Sequence, residues 1–186
     1  MNSDKSIFSD DRTVLLHCDV DCEHYNIPEG TKRIASEAFD DTGGFPRSIT
    51  LPSSLEEFNP CEALEILDIC SLQTIDVADG SKYFTAIDGI LYNKDVTRLI
   101  FIPPYNIQFG GTYDMPDTVR EIGDFALCMP ANLNRYYLSK SLEKIGKGNH
   151  WPSGEHCIVF IPEGMPAAQF FTGSPYFKTQ IIEHKL

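Results

Sequence analysis

Tyr25 to Phe39 reads YNIPEGTKRIASEAF, and Tyr113 to Leu127 reads YDMPDTVREIGDFAL. Both stretches place an aromatic residue two positions before an apolar residue that is followed by proline, and both return to an apolar residue seven positions after it. Two stretches of one design in a single chain indicate an internal repeat. A repeat must be tested first, because it decides the architecture of the whole chain.

The repeat extends through the chain when the apolar residue before the proline is taken as an anchor. Four apolar-proline pairs and two copies without the proline give six anchors, separated by 24, 26, 38, 23 and 23 residues: Ile27, Leu51, Val77, Met115, Leu138 and Ile161. The positions two before and seven after the anchor are apolar in every copy. The position four after is apolar except at Thr31 and Ser81. Each copy therefore fits one coil of a repeat, and the long step marks an insertion.

The chemistry of these positions predicts a stacked solenoid. Side chains alternate along a strand, so the anchor and the residue two before it share the inner face of a short strand. Proline then ends strand pairing and starts a turn. The later apolar residues turn back to the interior, and we expect brief helical turns at 34–39 and 122–127. No coil can bury its apolar edges alone, so neighbouring coils must stack.

A β-hairpin is predicted before each group of three coils. Leu91 to Ile102 reads LYNKDVTRLIFI, two apolar arms around a polar tip, and 84 residues earlier Ile7 to Cys18 reads IFSDDRTVLLHC. The sequence thus predicts a single solenoid domain over residues 1–186, made of two halves at about 7–84 and 85–186. The segment 62–72, EALEILDICSL, fits either a coil or a slightly longer helix.

These coils resemble the BspA-like bacterial leucine-rich repeats, whose pattern runs aromatic-x-Ile-Pro-x-x-Val-x-x-Ile-Gly-x-x-Ala-Phe. Residues 84–102 look like the hairpin insertion common in that family, and 160–164 followed by 170–182 look like its closing coil. The resemblance implies a leucine-rich-repeat solenoid with short parallel strands on one face, turns and short helices on the other, and β-hairpin insertions. It also implies no catalytic residues and no cofactor, with adhesion to host or bacterial proteins in exported members. The chain departs from the pattern at Thr31 and at Ser139, which replaces a proline.

Composition narrows the partners and the location. The formal net charge of −12, from 27 acidic and 15 basic residues, repels a phosphate backbone, so we expect no nucleic-acid partner. No apolar run approaches the roughly 18 residues of a membrane helix, and the polar, acidic first residues do not form an export signal. We therefore expect no membrane insertion. As written, the chain fits a cytoplasmic location, and a cell-surface or secreted one if an export signal was removed.

Two clusters hold residues that could bind a metal or catalyse a reaction, and neither predicts a site. In HCDVDCEH, residues 17–24, three candidate zinc ligands would share one strand face while His17 takes the other, and no second Cys-x-x-Cys pair is present. Around Trp151, the pair His156 and Cys157 lacks an oxyanion-hole motif. The irregularly spaced cysteines are interpreted as mostly buried free thiols: Cys18, Cys22, Cys61, Cys70, Cys128 and Cys157.

The outward residues next to the anchors are the best binding candidates. The candidate protein-binding face comprises Asp76, Asp114, Arg135, Tyr137 and Phe160. Aromatic and arginine side chains are typical interface anchors, although the C-terminal segment could instead cover Phe160. We expect a non-enzymatic protein-binding or adhesion module with a protein partner and no cofactor. A structural unit that self-associates, as a homo-oligomer, is the alternative, and a metal-binding protein or hydrolase is a remote one.

Overall fold

The computed structural model describes residues 5–20, 22–35, 38, 46–58, 72–103, 105–106, 111–127, 133–149 and 158–171, and the backbone of 180–184. The strands, in chain order, are β1 (Ile7–Phe8), β2 (Val14–His17), β3 (His24–Asn26), β4 (Arg33–Ile34), β5 (Ser48–Leu51), β6 (Thr74–Val77), β7 (Phe84–Ile87), β8 (Ile90–Asn93), β9 (Arg98–Phe101), β10 (Thr112–Asp114), β11 (Glu121–Ile122), β12 (Arg135–Tyr137), β13 (Lys144–Ile145), β14 (Ile158–Pro162) and β15 (Gln180–His184). A 3-10 helix spans Pro166–Phe171.

Two parallel sheets carry the strands that end at the anchors. The first front sheet has the order β3-β5-β6, and the second front sheet has the order β10-β12-β14-β15. Equivalent positions of the repeat pair in register, so Tyr25 lies opposite Ile49 and Ile49 opposite Ile75. In the second sheet Tyr113 pairs with Tyr136 in the same way. The alignment made from the anchors is therefore the register of the sheets.

Two further sheets form the back of the solenoid. The first back sheet has the order β1-β2-β4, and the second back sheet has the order β13-β11-β9-β8-β7. Three of their parallel strands come from the residues six and seven after an anchor: Arg33–Ile34, Glu121–Ile122 and Lys144–Ile145. Each is only two residues long, because a turn follows at once. The short strands thus come just before the segments where we expected helical turns: residues 124–127 form a turn, and half of 34–39 lies outside the described residues.

The core lies between front and back sheets in two clusters of buried apolar side chains, one for each half. The antiparallel strands β7, β8 and β9 stand between the clusters. Leu91 and Phe101 pack into the core of the first half, whereas Tyr92 and Leu99 pack into that of the second. The hairpin insertion therefore lies between the two cores and packs against both of them.

The turn between β7 and β8 also ends the first front sheet. Gly89 has φ +76°, and its carbonyl accepts a 3.0 Å hydrogen bond from the amide of Ile75 in β6. A Cβ at Gly89 would lie 2.9 Å from Cγ2 of Thr74, so a side chain here would force the turn away from the strand. Because this turn occupies the edge of β6, the two front sheets are separate.

The solenoid, its parallel strands and both hairpins are confirmed. The first hairpin is β1-β2 and the second is β8-β9, each around the polar tip that the sequence indicated. Of the segment 62–72, residues 62–71 lie outside the described residues, and Leu72 is buried and belongs to no helix or strand. In the described part of the chain, no helix is long and apolar enough to cross a membrane.

Candidate protein-binding face

The outward side chains of the second front sheet form a row across neighbouring strands. Parallel pairing places Asp114 opposite Tyr137, Tyr137 opposite Phe160, and Arg135 opposite Ile158. The inner residues of the same strands, Tyr113 and Tyr136, are buried. Because side chains alternate along each strand, the inner positions must fill the core, whereas core packing does not constrain the outer positions.

Tyr137 and Phe160 stack face to face. Their ring centroids lie 4.2 Å apart with an angle of 2° between the ring planes. The stack follows from the register, because equivalent positions on paired strands lie about 4.8 Å apart, close to the spacing of stacked rings. Both side chains remain half-buried, and Phe160 does so although β15 pairs alongside its strand. The stacked rings therefore form a partly exposed apolar surface.

Charged residues flank this surface. Arg135 and Asp114 are both exposed, and neither forms an ion pair within the described residues. A guanidinium beside exposed ring edges can bind a carboxylate or a carbonyl of a partner, while the rings supply apolar contact. Asp76 lies on β6, in the first front sheet. The structure thus brings four of the five candidate residues together and places Asp76 on a different sheet.

A layer of buried tyrosines supports the face from beneath. The hydroxyls of Tyr92 and Tyr113 lie 3.0 Å apart, and the Tyr113 and Tyr136 rings meet edge to face at 6.3 Å. Burial, more than any other cause, raises the pKa of the Tyr92 and Tyr113 hydroxyls above the ordinary value of 10.0. Both hydroxyls therefore stay neutral at every physiological pH, so these two tyrosines beneath the face carry no charge.

The first front sheet carries a different outward surface, which the sequence reasoning missed. The imidazole of His24 lies 2.5 Å from Ser48 Oγ through Nδ1, and 2.9 Å from Asn26 Oδ1 and 3.2 Å from Thr50 Oγ1 through Nε2. These side chains occupy the positions that Arg135, Tyr137 and their neighbours occupy in the second sheet. The polar network uses its own hydrogen-bonding groups internally, which leaves less for a partner. Reading the outward positions three before the anchors would have found it.

The two chemical clusters of the sequence do not form a described site. Cys18 is buried and Cys22 is half-buried, and Cys22 Sγ donates to the backbone oxygen of His24 at 3.1 Å. Within the described residues, no group of three or more His, Cys, Asp or Glu side chains is placed to hold a metal ion. The cluster around Trp151, with His156 and Cys157, lies outside the described residues, as do the other three cysteines.

Comparison with known proteins identifies the fold. A leucine-rich repeat protein from Eubacterium ventriosum is 20% identical over 75% of this chain, with a TM-score of 0.59. A leucine rich cell surface protein from Faecalibacterium prausnitzii is 18% identical over 88% of this chain and 60% of its own, with a TM-score of 0.48. The pneumococcal vaccine antigen PcpA is 23% identical over 68% of this chain and 34% of its own, with a TM-score of 0.46.

The chain spans 36% of the length of the Eubacterium protein. No protein-family model matches the sequence, and no match was found among curated proteins. The Eubacterium structure confirms the leucine-rich-repeat solenoid that the BspA-like resemblance implied.

Proposed function

From its leucine-rich-repeat fold, we propose that this chain is a non-enzymatic module that binds a protein through the outward face of its second front sheet. The single observation that carries the proposal is the stacked, half-exposed pair of Tyr137 and Phe160 beside the exposed Arg135. Two rings and a guanidinium on a rigid ladder form the kind of anchor that dominates protein interfaces. The ladder also lowers the entropic cost of binding, because the rings are already held in place.

The contrast between the front sheets supports the choice of face. The outward side chains of the first sheet form hydrogen bonds with one another, whereas those of the second are aromatic, or are charged and form no ion pair with another described residue. An aromatic pair on the outside of a sheet does not contribute to the core beneath it. The BspA-like resemblance adds adhesion to host or bacterial proteins as the setting of this binding.

Capture experiments with matched variants test the proposal. The immobilised chain, Tyr137→Ala and Arg135→Ala are exposed to extracts of bacterial and host surface proteins, and the retained proteins are quantified by mass spectrometry. Thr50→Ala, on the first front sheet, is the control. We expect a partner that the control retains and that both variants lose, with affinity falling roughly thirtyfold for a loss of about 2 kcal/mol at an anchor. Equal capture by all four proteins would contradict the proposal.

Self-association is a second candidate, and the first hairpin favours it. Ile7 and Leu16 are 55% and 42% exposed. Their equivalents 84 residues later, Leu91 and Ile100, pack against the core of the first half. The first hairpin therefore exposes a surface that the second hairpin buries, and a second copy of the chain could cover it. Light scattering at high concentration tests this: we expect an oligomer that Leu16→Ser dissociates, and a strict monomer would exclude it.

A further inference from the structure

A groove on the back of the molecule lies where the two halves meet, and it includes no residue of the front sheets. It has a volume of about 590 Å³. One wall consists of residues 33–35 and 56–58 of the first half. The other consists of Tyr83, Phe84 and parts of the second back sheet. Nothing in the proposed binding face uses this groove.

The groove lies between two neighbouring back segments that lack the backbone hydrogen bonds joining the other segments of the back sheets. We call each of the segments stacked along the back of the molecule a rung, and the passage from one rung to the next a step. At four steps, two successive amides donate to one carbonyl of the preceding rung over 2.7–3.2 Å. These carbonyls belong to Thr13, Lys32, Thr97 and Arg120. The same rule would join the amides of Lys82 and Tyr83 to the carbonyl of Glu56. In the described part of the chain none of these three groups forms a hydrogen bond. Backbone groups that could pair with an added strand therefore face the groove from both sides, although Glu56, Lys82 and Tyr83 lie outside the named strands.

The charge pattern of the back surface breaks at the same step. Outward side chains on neighbouring rungs pair by opposite charge over 2.7–3.1 Å, as Lys32–Glu56, Arg120–Glu143 and Lys144–Glu121. Glu57 lines the groove together with Arg33 and Arg98. It lies opposite Arg33 of the preceding rung in an isolated bridge, but within the described residues its carboxylate forms no ion pair. Below it lie the buried side chains of Phe58 and Phe84, and Tyr83, 49% exposed, stands at the rim.

We infer that this groove binds an extended peptide, which adds a strand at the open step and places a basic side chain beside Glu57. Addition of a strand to an open edge is a common mode of peptide recognition, in which backbone hydrogen bonds give affinity and alternate side chains give specificity. The peptide backbone would donate to the carbonyl of Glu56 and accept from the amides of Lys82 and Tyr83. Its inward side chains would be apolar, toward Phe58, and its outward ones basic.

The charge of the whole chain favours the same occupant. A net charge of −12 attracts a basic peptide at long range and repels an acidic one. The pairing of opposite charges on the back surface is more specific than the net charge. Each ion pair there places an anion beside a cation on the neighbouring rung, and a lysine or arginine next to Glu57 would add one more such pair.

Fluorescence anisotropy with a defined probe tests the inference. The probe is a fluorescein-labelled peptide, Thr-Lys-Val-Lys-Val-Thr, titrated with the full chain. We expect saturable binding that Glu57→Lys weakens about tenfold, through a lost ion pair and a new repulsion. Glu163→Lys, an equal change of charge at an exposed turn elsewhere, should leave binding within about twofold, because the net charge changes little. Tyr137→Ala should not alter it, which separates this site from the front face.

A second probe separates strand addition from simple charge attraction. The same peptide, N-methylated at alternate residues, keeps its charges but loses the amides of one edge. We expect its binding to fall about fivefold, since the lost hydrogen bond to the Glu56 carbonyl costs about 1 kcal/mol. Absent binding of the first probe, equal binding of the methylated one, or equal effects of Glu57→Lys and Glu163→Lys would each overturn the inference. Circular dichroism of the variants checks that each remains folded.

Discussion

The two front sheets share the same parallel strand arrangement but carry outward side chains of different chemistry. Tyr25, Ile49 and Ile75 fill the inner positions of the first sheet, and Tyr113 and Tyr136 fill those of the second, all buried. Outside, the first sheet carries a hydrogen-bonded network around His24, whereas the second carries the stack of Tyr137 on Phe160. The inner positions thus build the solenoid, while the outer positions are free to differ between halves and to acquire a binding role.

The largest expected effect tests this division between inner and outer positions. Ile49→Ala should lower the free energy of unfolding by about 2–5 kcal/mol, because it leaves a cavity at a fully buried position. Thr50→Ala, one residue away on the outer face, should change it by only about 0.5 kcal/mol. Urea unfolding followed by circular dichroism measures both. The division fails if the two variants lose similar stability.

A second pair of variants compares the position four after the anchor in the first coil of each half. Thr31 is 1% exposed, and its hydroxyl has no hydrogen-bond partner within the described residues, whereas the equivalent Val119 is fully buried and apolar. Thr31→Val should raise the free energy of unfolding by about 1 kcal/mol, since a buried unpaired hydroxyl is removed. Val119→Thr should lower it by about 1–3 kcal/mol. Unfolding of both variants in urea checks the opposite signs, and equal signs would show that the two coils are packed differently.

The front of the fold could be predicted from the sequence because its signal is repeated six times. The apolar residue two before each anchor and, in four copies, the proline after it have direct physical causes, and each copy supports the alignment of the next. The back strands could not be predicted in the same way. Arg33–Ile34 and Glu121–Ile122 are too short to show a period of two, and their pairing depends on how the coils stack. The open step at Glu56 likewise follows from the path of the hairpin, which the chain order does not show.

The candidate face was predictable in its residues but not in its geometry. Tyr137 and Phe160 stood out as aromatic residues at outward positions, and their stacking then follows from the register of β12 and β14. Asp76 was grouped with them because a column of aligned residues looks continuous in a sequence. In the structure the turn at Gly89 occupies the edge of β6, so the column divides into two sheets.

The ring stack should contribute more to stability than the polar pair at the corresponding positions of the first front sheet. Tyr137→Ala, Phe160→Ala and the double variant form a cycle whose coupling energy in urea unfolding should be about 0.5–1.5 kcal/mol, as for other aromatic pairs. The matching cycle of Thr50→Ala and Asp76→Ala, at paired positions of the first front sheet, should give a smaller coupling. If both cycles gave the same energy, the stack would contribute nothing beyond ordinary cross-strand contact.

The smallest effect concerns the turns that join the first two coils, and it depends on pH. The Glu29 carboxylate accepts hydrogen bonds from Ser53 Oγ at 2.6 Å and from the amides of Ser53 and Ser54 at 3.0 and 2.9 Å. The hydroxyl of Ser53 contributes most to lowering the pKa of Glu29 below its ordinary value of 4.5. In the equivalent turn of the second half Asp117 takes the place of Glu29, but within the described residues its carboxylate accepts no hydrogen bond, and Ser139 Oγ donates to the Asp117 backbone carbonyl instead.

Because the pKa of Glu29 is lower in the folded state, its stabilisation is complete above about pH 4.5 and is lost as the pH falls through the folded value. Glu29→Gln should therefore lower the free energy of unfolding by about 0.5 kcal/mol at neutral pH, a small figure because the side chain is exposed and screened by solvent. The difference from the unchanged chain should shrink below pH 4.5. Glu163→Gln, at the same turn position of the last coil, is the control, because no hydrogen bond of its side chain occurs within the described residues. Thermal unfolding from pH 7 to pH 3 compares the two, and a difference that persists unchanged at low pH would show that the Glu29 charge does not hold the two turns together.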